Sequence, residues 1–477
     1  MQFSTRLVLS ASVAALAIGS MLVSCGPTNG VGHGGGNGGT GGGGNGGTGG
    51  SGANGGGGSG GCVGLQCQQM QCPGGGTTSL TGKVFAPNGT LPLYNAIVYV
   101  PNSAPAAFND GVTCDRCNGS VSGSPVVITT TDSTGSFTLT NVPVGANIPL
   151  VVQLGKWRVQ TTIASVPGCV STPLTAGNTT LPKNRGAGDM PKMAIVSGSA
   201  DPFECLLLKI GIDPNEIQEP STAAARVHFY KGHNSPGGIM SGNTPDGTSL
   251  YGGNGATLMG YDVVMLPCEG SQFDQSAGTA NIASYVNAGG RVFTTHYSYD
   301  WWHYNASPFD KVGMSWMPEL GDDYNNTIQA PLNISFPKGL AFSQWLVAAG
   351  VTQSMTGKLA IAQGRHDITG INPMYAQDWV SYDFGGAKGG NGTMHLTFNT
   401  PLDAPKDDMG VPQYCGRAVY SDFHVTANAL KAGATTPWNF PGDCKAADPL
   451  SDQEKALAFM LFDLSSCVQS DQTNPIP

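Results

Sequence analysis

Apolar positions along the chain follow two different rhythms. Between residues 77 and 190 they come in short runs: Val84-Phe85, Ile97-Val98-Tyr99-Val100, Phe137-Thr138-Leu139 and Leu150-Val151-Val152. Gly, Pro and Asn separate these runs, which predicts an antiparallel, immunoglobulin-like β-sandwich rather than βαβ units. Within Thr131–Leu139, Asp132 and Gly135 supply a turn. Phe137 and Leu139 then share one face, because strand side chains alternate. From residue 191 the rhythm lengthens. Met193-Ala194-Ile195-Val196 reads as a continuous apolar strand, and Asp201-Pro202 as the cap and first turn of a helix with Leu206, Leu207 and Ile210 inward. Val227–Tyr230 and Asp262–Pro267 are further strands, followed by a helix around Ile282–Val286 that stops at Gly289-Gly290. Arg291–Thr295 and Arg417–Ser421 return as strands. A helix over 452–467 closes the pattern, with Ser451 and Glu454 as its capping box. Strands alternating with helices predict a parallel, doubly wound α/β domain over 191–477.

The first 76 residues have neither rhythm. Arg6 and the apolar stretch Leu7–Val23 read as a signal segment over 1–24, too short and too interrupted by Ser and Gly for a free membrane span. Residues 26–61 hold 23 glycines in 36 positions, so they cannot bury apolar surface. A flexible tether over 25–76 follows, and 36 such residues span on the order of 30–36 Å. Cys62, Cys67 and Cys72 recur every five residues, which predicts a small stapled knot at its end.

Charge narrows the partners. With 22 Lys+Arg against 31 Asp+Glu the net charge is −9, and only 11% of residues are charged. That leaves no electrostatic footprint for nucleic acid and no polybasic hold on anionic lipid. Twelve cysteines fit an oxidising compartment. Without Cys25 the count is odd, so the second half either keeps a free thiol or bridges across the domains. Cys114-Asp-Arg-Cys117 has CxxC spacing, but no second pair lies at zinc-ribbon distance and no helix signal follows. A structural disulfide in a loop is expected there.

Three resemblances add to this reading. Leu22-Val23-Ser24-Cys25 resembles the bacterial lipobox, which implies diacylglyceryl transfer to Cys25 and a membrane attachment through that lipid. Gly26 in place of Asp implies, in that family of signals, the outer membrane. Gly82-Lys83-Val84, Ala96-Ile97-Val98, Asp132–Phe137 and Val142-Pro143-Val144-Gly145 resemble the carboxypeptidase regulatory-like domain, a transthyretin-like sandwich. That module carries no catalytic residues, so peptidase activity is not implied. Finally, Tyr261–Leu266, Tyr285–Phe293, Thr294–Ser298 and Gly416–His424 resemble the class I glutamine amidotransferase-like superfamily and its ThuA-like branch, a flavodoxin-type α/β fold. The amidotransferase nucleophile is a Cys on the turn where this chain has His296, and Cys268 falls instead on the earlier loop of the oxyanion-hole glycines. Amidotransfer through a Cys is therefore not expected. The ThuA-like branch often carries His on that turn and after the last strand, matching His296 and His424.

In an open parallel sheet, ligands bind outside the carboxyl ends of the strands. Those ends offer Ser197 and Ser199, Cys268 and Glu269, His296 and Tyr297, and Asp422 with His424. Their side chains are expected to be exposed, with His296 and His424 in one cleft as base or ligand groups. Glu269 and Asp422 are the candidate acids. Cys268 is either a thiolate near His296, a partner of Cys205 or simply buried. Tyr297–Tyr304 is rich in flat rings beside a carboxylate, which suits stacking on a sugar or packing of a long loop. No HExxH, GxSxG or phosphate-cradling loop occurs in this domain, so no metal-ligand residues are assigned, and the sequence names neither a cofactor nor a metal dependence. A lipid-anchored outer-membrane protein binding a glycan or other small molecule is the reading that results. A hydrolase or carbohydrate-active enzyme using His296 and His424 with an acid is the alternative.

Overall fold

The structure is a computed structural model that describes residues 61–117, 121–233, 238–316, 326–425 and 439–474. The signal segment, Cys25 and nearly all of the Gly-rich tether lie outside the described residues.

The 77–190 stretch forms two facing sheets. Strands β1 (Ser79–Lys83), β4 (Ser136–Thr140) and β7 (Ser171–Pro173) make the smaller sheet, in the order β4-β1-β7. Strands β2 (Ile97–Pro101), β3 (Pro125–Thr130), β5 (Gly145–Leu154) and β6 (Trp157–Val166) make the larger, in the order β3-β2-β5-β6. Leu80, Phe137 and Leu139 from one sheet meet Val98, Val100, Leu150 and Val152 from the other in a single buried cluster. The turn before β4 closes as expected: Asp132 Oδ1 accepts from Thr134 N and Ser136 N at 2.8 and 3.0 Å. Gly135 there takes φ 75°, which only glycine adopts without cost. One detail departs from an all-antiparallel sandwich. β7 runs parallel to β1, pairing Ser79 with Ser171.

The remainder is built on a mixed sheet. Its central strands are β8 (Met193–Ser197), β10 (Val227–Lys231), β11 (Val263–Leu266), β12 (Arg291–Thr295) and β19 (Gly416–Ser421), all parallel to their neighbours in this group, with the two-residue β9 (Ile217–Gln218) at one edge. β17 (Ala376–Asp383) and β18 (Asn391–Thr400) extend the other edge as antiparallel strands, giving the order β17-β18-β19-β12-β11-β8-β10-β9. Every residue of β8, β11, β12 and β19 is buried. With both faces covered, the middles of these strands are mostly apolar, and their polar residues, such as Ser197, Arg291, Thr295, Arg417 and Ser421, sit toward the strand ends. Met193, Ile195, Val263 and Met265 pack with the helices Phe203–Lys209 and Asp452–Ser465, while Ala194, Val196, Val264 and Leu266 pack with Thr279–Asn287. The helix Asp452–Ser465 carries the complete capping box on Ser451 and Glu454.

Between β12 and β19 the chain makes a long excursion. It includes the hairpin pair β14 (Thr327–Pro331) with β15 (Lys358–Ala362), the short pair β13 (Gly313–Met314) with β16 (Gly370–Ile371), and the helix Pro337–Ala348. Trp301 and Trp302, from the aromatic segment, are fully buried in the core beside the Thr279–Asn287 helix.

The described residues from 61 onward form one compact unit, so the two facing sheets and the mixed sheet belong to the same body. Their apolar clusters are continuous, and Trp345 Nε1 donates to Pro92 O across the junction at 2.8 Å. Disulfides bolt the same junction. Cys114 pairs with Cys415 and Cys117 with Cys467, so the CxxC is two separate bridges and not one loop disulfide. Cys62 pairs with Cys67, but Cys72 reaches Cys169 in the sandwich, so the three-cysteine segment is tied to the fold and is not a knot of its own. Cys205 pairs with Cys444, leaving Cys268 as the free thiol among the described residues.

Candidate functional site

The carboxyl ends of β11, β12 and β19 converge because all three strands run the same way in adjacent positions of the sheet. Cys268 leaves β11 two residues after its end, His296 follows β12 directly and His424 follows β19 by three residues. His296 takes φ 42°, a left-handed conformation that non-glycine residues adopt at local cost. That backbone turns its ring away from the strand line and toward its two neighbours. His296 Nδ1 lies 3.1 Å from His424 Nε2 and 3.3 Å from Cys268 Sγ. The two imidazoles meet, although 128 residues separate them.

Exposure departs from the expectation. His296, His424, Asp422 and Glu269 are all buried, at 3%, 6%, 0% and 4% exposure. Burial is also what sets the protonation states. It holds His296 well below the ordinary imidazole range, with His424 and Arg365 adding to the drop. His424 falls to about 3 from burial and then from Arg365. Burial pushes the Cys268 thiol up, a shift that the hydrogen bond from Gly270 N only partly offsets. Two neutral imidazoles and a neutral thiol therefore face one another at pH 7.

The candidate acids divide. Glu269 turns away from the histidine pair and accepts from the backbone N–H of His233, with His233 Nδ1 at 3.2 Å. That contact raises the His233 imidazole. Asp422 is engaged by other groups: its Oδ1 accepts from Tyr420 OH at 2.9 Å and its Oδ2 from Asp367 N at 2.8 Å. Asp422 thereby positions Asp367, whose Oδ2 lies 3.5 Å from His296 Nε2. Asp367 is the acid of the site. Asp367 sits on the excursion, after no strand recognisable from sequence, and the one signal for it is Arg365-His366-Asp367 as a charged cluster in a charge-poor chain.

Asp201 is a second carboxyl missed in this role. It does not cap its helix: Pro202 occupies that position without a side-chain bond. Instead Asp201 accepts from Thr295 Oγ1 at 2.6 Å and from Val425 N at 2.7 Å, and burial raises its carboxyl to about 7. Thr295 Oγ1 in turn accepts from Cys268 N at 2.9 Å. These bonds lock the three strand ends together. Gly198 completes the arrangement, since a Cβ there would collide with the Cys268 carbonyl oxygen. Tyr297 stacks on His296 with ring centroids 3.9 Å apart and 28° between planes. Ser199 donates to Glu269 O at 2.6 Å, and Ser197 to Glu204 at 3.0 Å, so neither serine faces the histidines. Of the aromatic segment, Tyr299, Trp301 and Trp302 are core residues, and Tyr304 is the exposed ring. The flat surface required for sugar stacking is mostly interior.

Known proteins add little to this geometry. No family model matches the chain, and no curated protein matches it. Among solved structures, two type II cohesin–X-dockerin complexes from Acetivibrio cellulolyticus align at 14% identity. A C-terminal interface mutant gives a TM-score of 0.15 over 26% of this chain and 76% of that one. An N-terminal interface mutant gives 0.17 over 32% of this chain and 95% of that one. Similarity at that level carries no inference about fold or function. No described helix is long and apolar enough to cross a membrane.

Proposed function

We propose that this chain is an exported, outer-membrane lipoprotein whose α/β region binds a small ligand at the carboxyl ends of its parallel strands. In this reading residues 77–190 are a non-catalytic, carboxypeptidase regulatory-like sandwich and residues 191–477 a doubly wound, ThuA-like domain. The observation that carries it is the meeting of Cys268, His296 and His424 within 3.3 Å of a shared ring nitrogen. Helices on both faces of a largely parallel sheet, and a left-handed residue directly after β12, support the ThuA-like assignment. Five disulfides support export. The lipobox-like Leu22–Cys25 and the Gly-rich stretch after it support a lipid anchor and a tether that holds the folded unit off the bilayer.

A second reading is hydrolysis by the histidine pair with an acid. The 3.5 Å approach of Asp367 to His296 favours it, with Asp367 in the place first given to Glu269 or Asp422. Attack by Cys268 does not fit either reading, because burial keeps the thiol protonated and the imidazole beside it neutral.

Single alanine variants of His296 and His424, and the double variant, test the site. A ligand that shifts the parent's melting temperature but none of the variants' supports it. Equal shifts in all four proteins move both residues to a structural role. Cys25→Ser tests the anchor: incorporation of a fatty-acid probe should disappear, and equal label in parent and variant removes the lipoprotein.

A further inference from the structure

We propose that Cys268, His296 and His424 form a three-ligand site for a divalent transition-metal ion of the zinc type. This rests on the reading of the strand ends as a ligand site and names the ligand class.

The three ligand atoms are close enough to share one ion. The thiol and the two ring nitrogens all lie within 4.8 Å of one another. At usual zinc bond lengths a tetrahedral ion places two histidine nitrogens about 3.3 Å apart, and nitrogen and sulfur about 3.6 Å apart. The observed 3.1 and 3.3 Å fall just inside those edges and the third, from Cys268 Sγ to His424 Nε2, lies within 4.8 Å, so a small rearrangement of the side chains admits the ion. Hydrogen bonding serves this cluster poorly. His296 Nδ1 has one in-plane position, for either a proton or a lone pair, and two partners compete for it. A cation at the centre satisfies all three atoms at once.

Two further features point the same way. Ten of the described cysteines are consumed in disulfides while Cys268 is kept as a thiol, fully buried and directed at an imidazole. Metal-bound histidines usually give their second ring N–H to a carboxylate. His296 Nε2 has no hydrogen-bond partner among the described residues, and Asp367 Oδ2 stands 3.5 Å from it. With Nδ1 on a metal, Nε2 carries the proton and Asp367 becomes its acceptor. Asp422, which holds the Asp367 backbone, sets that orientation.

The donor set selects the ion. One thiolate and two imidazoles suit zinc and its neighbours, not magnesium or calcium, which require oxygen ligands. Binding breaks the Cys268 S–H bond, forms the sulfur–metal bond and releases one proton to solvent. Three protein ligands leave a fourth position open, as in zinc sites that bind or activate a small molecule.

The test uses the full exported chain, stripped of metal by chelation and titrated with Co²⁺ alone and then Zn²⁺ alone. The parent should take up one ion per chain, show thiolate-to-cobalt charge-transfer absorption and lose that band when zinc displaces cobalt. Cys268→Ser should lose the charge-transfer band, and His424→Ala should lose uptake. Asp367→Asn should retain the band and weaken binding by about 10- to 100-fold. Should a ligand variant fail to fold, alkylation of Cys268 in the parent during partial denaturation serves instead, with zinc expected to protect the thiol. No uptake by the parent, uptake unchanged in Cys268→Ser and His424→Ala, or no zinc protection of the thiol would overturn the metal. A small-molecule melting shift that depends on His424 without any metal uptake would also overturn it, while leaving the ligand site in place.

Discussion

The two ends of the parallel sheet solve the problem of burying polar groups in opposite ways. At the amino ends of the strands, charge is kept and paired. Asp262 before β11 meets Lys156 from the sandwich, and Arg291 at the start of β12 donates to the carbonyls of Gly289 and Cys415 at 2.9 and 2.8 Å. Arg417 in β19 meets Asp471 and Asp463 at 2.8 and 2.9 Å, and Lys338 meets Asp463 at 2.8 Å. Burial alone would raise the Asp463 carboxyl, but Lys338 and Arg417 bring it below the ordinary carboxylate range. The two disulfides to the sandwich leave from the same end, at Cys415 and Cys467. Around the histidine pair at the carboxyl ends, charge is suppressed: the His296 and His424 imidazoles are driven down, and the Cys268 thiol and the Asp201 carboxyl up, with the His233 imidazole beside Glu269 as the exception. A joint wants ion pairs that hold without further help. A ligand site wants neutral donors whose lone pairs become available when something arrives.

The sharpest way to break the contrast is to remove one cation from the paired end. Arg417→Met leaves Asp463 and Asp471 buried with only Lys338 between them, and should cost about 3–5 kcal/mol in chemical denaturation. A loss under about 1 kcal/mol would mean that the network does not hold the joint. Opening the Cys117–Cys467 bridge by double serine substitution comes next, at about 2–5 kcal/mol. The same denaturation curves read it, and metal or ligand binding at the opposite end should survive.

The neutral end should show its character in acid. His395 lies on β18 against Ser421, outside the proposed ligand set, with Nδ1 2.7 Å from the hydroxyl. Burial lowers it to about 3, with Arg417 adding to the drop and Asp463 opposing it. The unfolded imidazole takes up a proton below about pH 6.5, whereas the folded one stays neutral. Its share of stability is thus complete above pH 6.5 and is lost as pH falls toward 3. Between pH 7.5 and 5.0 the parent should lose about 2 kcal/mol more than His395→Gln. Parallel behaviour of the two proteins over that range would show that the imidazole is charged in the fold. The smallest effect is expected from Cys268→Ala, at about 1 kcal/mol. Its value lies in counting: alkylation of the unreduced, denatured parent should label one thiol, at Cys268, and the variant none.

Much of this contrast is written in local patterns. The continuous apolar runs at Met193–Val196 and Val263–Leu266 become central strands, because a strand covered on both faces has no polar side to show. Ser451 caps its helix through a three-residue relation that any sequence reading can see. His296 and His424 were legible as strand-end residues for the same reason. Their burial was not, since it involves residues of the long excursion such as Asp367, 3.5 Å from His296, and that excursion's helix Pro337–Ala348 has no capping side chain to announce it. Asp367 was hidden with that excursion. The disulfide pairs were hidden too, because Cys114 and Cys117 find partners 301 and 350 residues away, and no spacing encodes that. Asp201 had a sound local role as a cap and lost it to Thr295 and Val425, a long-range competition that a helix signal cannot reveal.

Crystals of the full exported chain grown with zinc, with diffraction recorded on both sides of the zinc absorption edge, address the site most directly. A single anomalous peak bonded to Cys268 Sγ, His296 Nδ1 and His424 Nε2, with Asp367 drawn onto His296 Nε2, is the predicted result. A zinc-soaked structure with the thiol still against the two imidazoles and no peak between them would contradict it.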